Sequence, residues 1–163
     1  MQKSRQNTEQ RILNAVKTLL LEKGFPELGV NSVARTAGCD KVLIYRYFGG
    51  FEGLLERFAE EQDLWWKVDE IITENADQIS QRTLAEFLET LLNRHIQAIR
   101  ARPLTQEIMA WEVSASNNLT RKLNQIRTEQ GMLLVKTVRR HFANPNIDIG
   151  GILGIFGAAI NYL

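Results

Sequence analysis

The stretch GFPELGVNSVARTAGCDKVLIYRYFGGFEGLL, residues 24–55, decides the fold of this 163-residue chain. Gly29 can cap a short helix and Gly38 can end it, because glycine tolerates the left-handed backbone of a helix stop. Asp40 can cap a second short helix that runs to Phe48, since its carboxylate favours the positive N-terminal end of a helix. The stretch therefore predicts two short helices that meet at a tight glycine turn.

The chain on both sides of this stretch has helical periodicity as well. A first helix is predicted between a cap at Thr8 and a stop at Gly24, and a long helix from Phe51 to about Val68. Further helices are predicted over about 82–100, 103–113, 119–142 and from 148 onward. No segment alternates apolar and polar residues as a strand would. The expected fold class is all-α: an N-terminal three-helix helix-turn-helix domain joined by a long helix to a C-terminal helical bundle.

The charge of the chain is unevenly divided. Residues 1–50 carry eight Lys or Arg against four acids, a balance of +4, and because the whole chain sums to +1, residues 51–163 carry −3. A basic front module on an acidic body is typical of a nucleic-acid-binding head with a separate sensing body. The charge division therefore favours a nucleic-acid-binding module over residues 1–50 and a separate helical body for sensing or dimerisation over residues 51–163.

Composition excludes several classes of protein. Apolar residues make up 44% and charged residues 24%, which is ordinary for a globular chain. The single cysteine, Cys39, excludes an internal disulfide and a cysteine zinc cage, so a reducing compartment is expected. The N-terminus lacks the features of a secretory signal, and the apolar segment 150–163 is shorter than the ~20 residues that cross a bilayer. We expect a cytoplasmic protein without a membrane partner.

Motifs that carry catalysis are missing from the sequence. It has no phosphate-cradling glycine loop, no nucleophile elbow and no HExxH, and His95 and His141 have no partners at metal-ligand spacing. We predict that the protein is not an enzyme and has neither a cofactor nor a metal site. His95 lies on the apolar stripe of its helix and is interpreted as a core or pocket histidine.

The block around the glycine turn resembles the N-terminal module of the TetR family. The family pattern is a Gly-aromatic helix end, Val-x-x-Ile-Ala, Ala-Gly-Val-Ser, Leu-Tyr-x-His/Tyr-Phe and Lys-x-x-Leu-Leu. The positions in register, without a gap, are Gly24-Phe25, Val30, Val33-Ala34, Ala37-Gly38, Ile44-Tyr45, Tyr47-Phe48 and Leu54-Leu55. The resemblance implies a transcriptional regulator, in most of the family a repressor, that binds double-stranded palindromic operator DNA as a homodimer and is released by a small-molecule effector.

The second short helix is sized to lie in the major groove with its N-terminal residues near base edges. By resemblance its residues face bases or phosphates, and one residue of the preceding helix contributes as well. The implied DNA-binding residues are Asn31, Lys41, Val42, Leu43, Tyr45, Arg46 and Tyr47. Lys3 and Arg5 could add phosphate contacts from a basic tail. The alternative for the two tyrosines is that they pack the core of the small domain.

Three positions depart from the family pattern. Phe51 stands where the family usually has lysine, so one phosphate contact is missing. Asp40 replaces the usual serine, which preserves capping but brings negative charge close to DNA. Val42 and Leu43 are apolar where polar or small residues are common, so their expected contacts are thymine methyl groups.

Large side chains are spread over the body helices, as would suit a ligand pocket. The residues predicted to line it are Trp65, Trp66, Phe87, His95, Met109 and Trp111. The same side chains equally suit an ordinary core. Cys39 is interpreted as a packing residue and not as a redox switch.

The last helix carries small residues every four positions, at Gly150, Gly154 and Ala158, and such a ridge lets another helix approach closely in a dimer or within one subunit. The apolar end at Leu163 lacks a cap, and with the resemblance it predicts one more C-terminal helix beyond the sequence.

The alternative function is a helical interaction module that binds protein without sequence-specific DNA binding.

Overall fold

The computed structural model describes residues 2–114, 116–144 and 146–161, and for residues 2 and 3 the backbone alone. Within these ranges the chain forms α-helices and one 3-10 turn, Phe25–Glu27, without a β-strand, which confirms the all-α fold class. The helices are α1 (Gln2–Lys23), α2 (Val30–Ala37), α3 (Val42–Phe48), α4 (Phe51–Glu61), α5 (Val68–Ile71), α6 (Ala76–Ser80), α7 (Leu84–Arg100), α8 (Pro103–Glu112), α9 (Asn118–His141) and α10 (Ile149–Asn161). No described helix is both long and apolar enough to cross a membrane.

The chain divides into two compact units. The first comprises the residues through Leu64 together with Pro103–Asn124, and the second comprises Trp65–Arg102 together with the chain from Gln125 onward. These units differ from the predicted domains, 1–50 and 51–163, because α8 packs against α1 and against the 3-10 turn. The assignment of DNA binding to residues 1–50 and of ligand sensing to residues 51–163 stays a prediction.

The first unit is built around α1, which contacts α2, α4 and α8. Ile12, Val16 and Leu20 follow the helical spacing and are buried almost completely. The predicted cap at Thr8 is wrong, because α1 extends back to Gln2 and the Thr8 hydroxyl donates to the carbonyl of Ser4 inside the helix. Residues 4–7, ahead of Thr8, are polar and exposed and belong to this helix.

The helix after the glycine pair, α4, is shorter than predicted. It ends at Glu61, and the chain is not helical again before Val68. Leu64 and the two tryptophans after it are all buried, and a helix would turn successive side chains by about 100° and could not bury three in a row on one face. The buried hydroxyl of Thr105 donates to the carbonyl of Leu64 at 2.7 Å, which satisfies a backbone group of this segment.

The second unit places α7 against α5. Glu74, between α5 and α6, accepts hydrogen bonds from Arg94 at 2.6 Å and from Arg82 at 3.2 Å. The hydrogen bond from Arg94 holds the pKa of this carboxyl below its ordinary value. This network fixes the segment after α5 to α7, the helix whose buried face carries His95.

Candidate functional site

The turn between α2 and α3 depends on a glycine. Gly38 has φ 62°, a left-handed conformation that disfavours other residues, and it ends α2 as predicted. The Cys39 amide donates to the carbonyl of Ala34 at 3.0 Å. From α1, Nη2 of Arg11 donates to the carbonyls of Ala37 at 2.5 Å and Gly38 at 2.9 Å. Arg11 therefore ties the first helix to the turn that sets the direction of α3, a role that sequence reasoning missed.

Both helices of the motif begin as predicted. Gly29 precedes α2, and its amide donates to the Ser32 hydroxyl at 3.0 Å. The Asp40 carboxylate accepts a hydrogen bond from the Val42 amide at 2.8 Å, which satisfies one of the free N–H groups at the start of α3. Asp40 thus accepts a hydrogen bond at the start of α3 as predicted, while Lys41 occupies the N-cap position without a side-chain capping bond.

The outer surface of α3 carries residues whose side chains reach solvent. Val42 is 60% exposed and Tyr45 55% exposed, and Lys41 and Arg46 are exposed as well. Because residues four apart lie on the same side of a helix, these four form one surface, named here the reading face. Ile44 points the other way and is completely buried, so it anchors α3.

The other predicted DNA-binding residues lie around this surface. Asn31 is exposed near the start of α2, and Leu43 is half-buried. Tyr47 is half-buried, and the Arg5 guanidinium carbon lies 5.1 Å from the centre of its ring. Arg5 is therefore part of α1 instead of a loose tail, where a 2.7 Å ion pair with Glu9 one turn later holds it. The Lys3 side chain lies outside the described residues.

A close backbone approach fixes the start of α4. Gly53 lies in the first turn of this helix, and a Cβ atom there would collide with the carbonyl oxygen of Phe48 at the end of α3. Only glycine lets the two helices come this near to each other. Sequence reasoning did not single out Gly53, because a glycine inside a helical pattern is read first as a weak helix former.

A cavity of about 710 Å³ lies within the second unit, inside the ~300–1,000 Å³ range of ligand pockets. Residues of α7, α9, α10 and the segment before α5 line it. They are Trp65, Trp66, Leu91, Leu92, His95, Arg127, Thr128, Gly131, Met132, Leu134, Val135, Lys136, Arg139, Gly150, Leu153, Gly154, Gly157, Ala158 and Asn161. The structure thus brings together Trp65, Trp66 and His95 of the six predicted pocket residues.

The other three predicted residues do not line this cavity. Phe87 packs against Phe142 with ring centres 5.2 Å apart. Met109 and Trp111 belong to α8 and hence to the first unit, where Trp111 stacks on Phe25 at 5.9 Å and donates to Glu107 at 3.1 Å. Helical periodicity identifies a buried side of α8, but it does not say which unit that side faces.

Most of the α9 and α10 residues that line the cavity were not predicted as pocket residues. Gly150, Gly154 and Ala158, the small-residue ridge predicted for helix packing, line it. The four-residue spacing was the available signal, since small side chains leave room for a ligand as well as for a helix. The further helix that the resemblance predicts beyond Leu163 stays a prediction.

The polar groups of the cavity centre on His95, which is 5% exposed. Nε1 of Trp66 donates to Nδ1 of His95 at 2.8 Å. Burial lowers the pKa of His95, and the side chain of Asn161 acts in the opposite direction. In the described part of the chain, His95 Nε2, Trp65 Nε1 and Asn161 Oδ1 have no hydrogen-bond partner. The cavity therefore has unused hydrogen-bonding capacity.

Two other sequence features carry no site in the described ranges. No group of three or more His, Cys, Asp or Glu is arranged there to hold a metal ion. Cys39 is a half-buried free thiol whose pKa is raised by burial, although Arg11 opposes the shift. A protonated thiol reacts slowly with oxidants, which agrees with a packing role.

The glycine turn, the capped α3 and its exposed outer surface define a helix-turn-helix protein. Residues 12–58 match the family model described as bacterial regulatory proteins, tetR family. This stretch, less than a third of the chain, is similar to the N-terminal module of the TetR family. The match covers Ile12 to Phe58, from the first buried residue of α1 to the buried phenylalanine of α4.

Relatives resemble this module in sequence, and solved structures resemble the fold of the chain. Two uncharacterized HTH-type transcriptional regulators from two strains of Mycobacterium tuberculosis are 33% identical over 52 residues, which is 32% of this chain and 26% of each relative. Two crystal structures of NalD, the secondary repressor of the MexAB-OprM multidrug efflux pump in Pseudomonas aeruginosa, align over 97% and 96% of this chain and 82% of theirs. Their TM-scores are 0.54 and 0.55 at 16% identity, a likeness of fold.

Proposed function

We propose that the chain is a transcriptional repressor that binds operator DNA through α3 and is released by a small-molecule ligand. The observation that carries the proposal is the reading face: two cations, a tyrosine hydroxyl and an apolar side chain, all exposed on the second helix of a TetR-type module. The fold likeness to NalD, itself described as a repressor, supports the direction of regulation. Such a protein works in the cytoplasm, without a cofactor and without catalysis.

The contacts follow from the chemistry of the side chains. Lys41 can donate to guanine, and Val42 can contact a thymine methyl group. Tyr45 and Arg46, one turn further along α3, can hold phosphates on either side. The guanidinium of Arg5 beside Tyr47 adds a cation to the same edge of the motif. Phosphate contacts set the affinity in this scheme, and Lys41 with Val42 sets the preference for bases.

A second copy of the chain completes the proposed regulator. Large apolar side chains on α9 and α10 are exposed, with Met132 70%, Leu133 47%, Ile155 72% and Phe156 47% accessible to solvent. Apolar surface of this kind marks an interface. A two-fold dimer through these helices would present two copies of α3, and two-fold symmetry calls for a palindromic operator.

Release by ligand requires a link from the cavity to α3. The chain passes from one unit to the other within α9, whose first residues, 118–124, belong to the first unit and whose later residues, from Arg127 to Arg139, line the cavity. A ligand that favours one position of α9 would therefore bias the first unit. A coupling of about 1–3 kcal/mol suffices for a useful response.

DNA binding is tested by selecting duplexes from a randomised pool at two salt concentrations and sequencing them. We expect an enriched palindrome and an affinity that falls steeply with salt. Lys41→Ala is expected to weaken binding by about 1–3 kcal/mol and to relax the base preference at one position of each half-site. Lys67→Ala removes the same charge from an exposed position in the second unit and serves as the control.

The results separate the proposal from its alternative. A palindrome that is lost with Lys41→Ala and kept with Lys67→Ala supports operator binding through α3. If no sequence is enriched and binding equals that to nonspecific DNA, the operator proposal fails and the protein-interaction module takes its place.

A further inference from the structure

The charged residues that line the cavity share one sign. Arg127, Lys136 and Arg139 line it, whereas no Asp or Glu is among the described lining residues. The guanidinium carbon of Arg127 lies 5.9 Å from the centre of the Trp65 ring. Asp148 approaches Arg139 at 3.6 Å, but both side chains of this pair are more than half exposed, so it offsets the positive charge weakly. An anion is therefore favoured over a cation in this cavity.

The tautomer of His95 follows from its neighbour. The Trp66 ring nitrogen can only donate, so Nδ1 of His95, which receives this hydrogen bond at 2.8 Å, carries no proton. A neutral imidazole then carries its proton on Nε2, which is a donor. This Nε2 makes no hydrogen bond of normal geometry within the described ranges, although the side chain of Asn161 lies close enough to raise the pKa of His95 against the effect of burial, so a ligand acceptor would compete with Asn161 for this donor. His95 is 5% exposed and lines the cavity.

A second donor in the same cavity is also unused. Trp65 is 3% exposed and lines the cavity, and its Nε1 has no partner among the described residues. The rings of Trp65 and His95 are 5.8 Å apart. A buried donor without a partner is costly, and a ligand acceptor would remove that cost. The lining also includes apolar side chains such as Leu91, Leu134 and Leu153.

We propose that the cavity binds a small apolar molecule that carries a carboxylate or a similar anionic acceptor, held by Nε2–H of His95 and Nε1–H of Trp65. The cationic lining residues attract the anion, and the leucine and tryptophan side chains surround its apolar part. The inference names the class of the effector and so rests on the proposed ligand-sensing function. Its donors, His95 and Trp65, lie outside residues 12–58, the stretch that matches the family model.

The test uses three probes with the same apolar body: naphthalene-2-carboxylate, naphthalene-2-carboxamide and naphthalen-2-ylmethylammonium. Their affinities for the full chain are measured by calorimetry at pH 7.5. We expect the carboxylate to bind roughly tenfold more tightly than the amide, because hydrogen bonds to a charged acceptor are the stronger kind. The ammonium probe is expected to bind most weakly of the three.

Two variants assign the donors. His95→Gln and Trp65→Phe should each reduce the preference for carboxylate over amide to roughly threefold or less. His141→Gln and Trp111→Phe are the matched controls, since neither residue lines the cavity, and they should keep the full preference. Trp65→Phe keeps an aromatic ring in place, so it decides the question even if His95→Gln does not fold, as judged by circular dichroism.

The outcomes distinguish this inference from the proposed function. Ammonium binding as tight as carboxylate binding, or a carboxylate preference that survives both cavity variants, would overturn the inference, as would the absence of any probe binding. DNA selection on the same preparation is scored separately. Carboxylate binding without an enriched DNA sequence would leave the cavity assignment standing and refute the operator proposal.

Discussion

The two compact units use their side chains in opposite ways. In the first, the residues of α3 proposed to contact DNA point outward, and backbone contacts such as those of Gly38 and Arg11 fix their direction. In the second, the residues proposed to contact a ligand line a cavity, and buried side chains such as His95 and Trp66 hold each other. An exposed helix surface suits a large partner, whereas a cavity with buried donors suits a small molecule.

The largest expected effect on the unfolding free energy tests whether the backbone is more tightly constrained in the first unit than in the second. Gly53→Ala places a Cβ against the carbonyl oxygen of Phe48 and should lower the free energy of unfolding by roughly 3 kcal/mol, the upper part of the usual range. Gly131→Ala, in α9, meets nothing within 4 Å and should be neutral or stabilise by up to about 1 kcal/mol. Urea unfolding of both variants measures the difference. Equal effects would show that the close approach of α3 and α4 is relaxed without cost.

The next effect concerns the contacts that direct α3. Arg11→Met removes two hydrogen bonds to the carbonyls of the turn and should cost about 1–2 kcal/mol of unfolding free energy, with weaker operator binding. Arg57→Met breaks exposed ion pairs on α4 and should cost less than about 0.5 kcal/mol. Chemical unfolding and DNA titration are run on both. If Arg11→Met is as stable as Arg57→Met and binds operator DNA as tightly, Arg11 does not position α3.

These two regions also differ in how far the sequence predicts them. In the helix-turn-helix, the hydrogen bond that Asp40 accepts at the start of α3 and the end of α2 at Gly38 each depend on residues within a few positions. Both are present in the structure. The contact between Arg11 and the turn spans 27 residues and leaves no local pattern. The cavity joins residues from four separate segments, so the sequence could indicate its tryptophans and His95 as candidates but not distinguish them from Met109.

The predicted helix through Val68 failed for a related reason. The helical spacing of apolar residues in the sequence continues past Glu61, where α4 ends. However, the three consecutive residues that begin at Leu64 are all buried, and this requires an irregular backbone. The carbonyl of Leu64 accepts its hydrogen bond from the hydroxyl of Thr105, a residue that is distant in the sequence. Local pattern therefore predicts elements well within the motif and less well where two compact units share the chain.

A smaller effect probes the inward-facing region through pH. Burial lowers the pKa of His95 in the folded state below the value of about 6.5 for an unfolded chain, so the unfolded state takes up a proton first as pH falls. Stability is complete above pH 6.5 and decreases as pH falls toward the folded-state pKa, by at most about 1.4 kcal/mol per pH unit. Urea unfolding between pH 7.5 and 5.5 measures it, a window above the range in which the carboxyl of Glu74 titrates.

The control for this measurement is the other histidine. His95→Gln should flatten the pH dependence in the window, whereas His141→Gln, outside the cavity lining, should keep it. A wild-type stability that does not change between pH 7.5 and 5.5 would mean that His95 is accessible to water when folded, and the contrast between the buried donors of the cavity and the exposed residues of α3 would weaken.

The smallest effect on stability separates two kinds of exposed apolar side chain. Val42 on α3 and Ile155 on α10 are 60% and 72% exposed, so replacing either with threonine should change the unfolding free energy by less than about 0.5 kcal/mol. Their partners differ in the proposed function, DNA for Val42 and a second copy for Ile155. Val42→Thr should alter the selected operator and leave the sedimentation coefficient unchanged, and Ile155→Thr should shift sedimentation toward the monomer and make melting less dependent on concentration. If Ile155→Thr leaves the sedimentation coefficient unaltered, the dimer surface lies elsewhere. Exposure of an apolar side chain on α10 would then not be evidence of an interface.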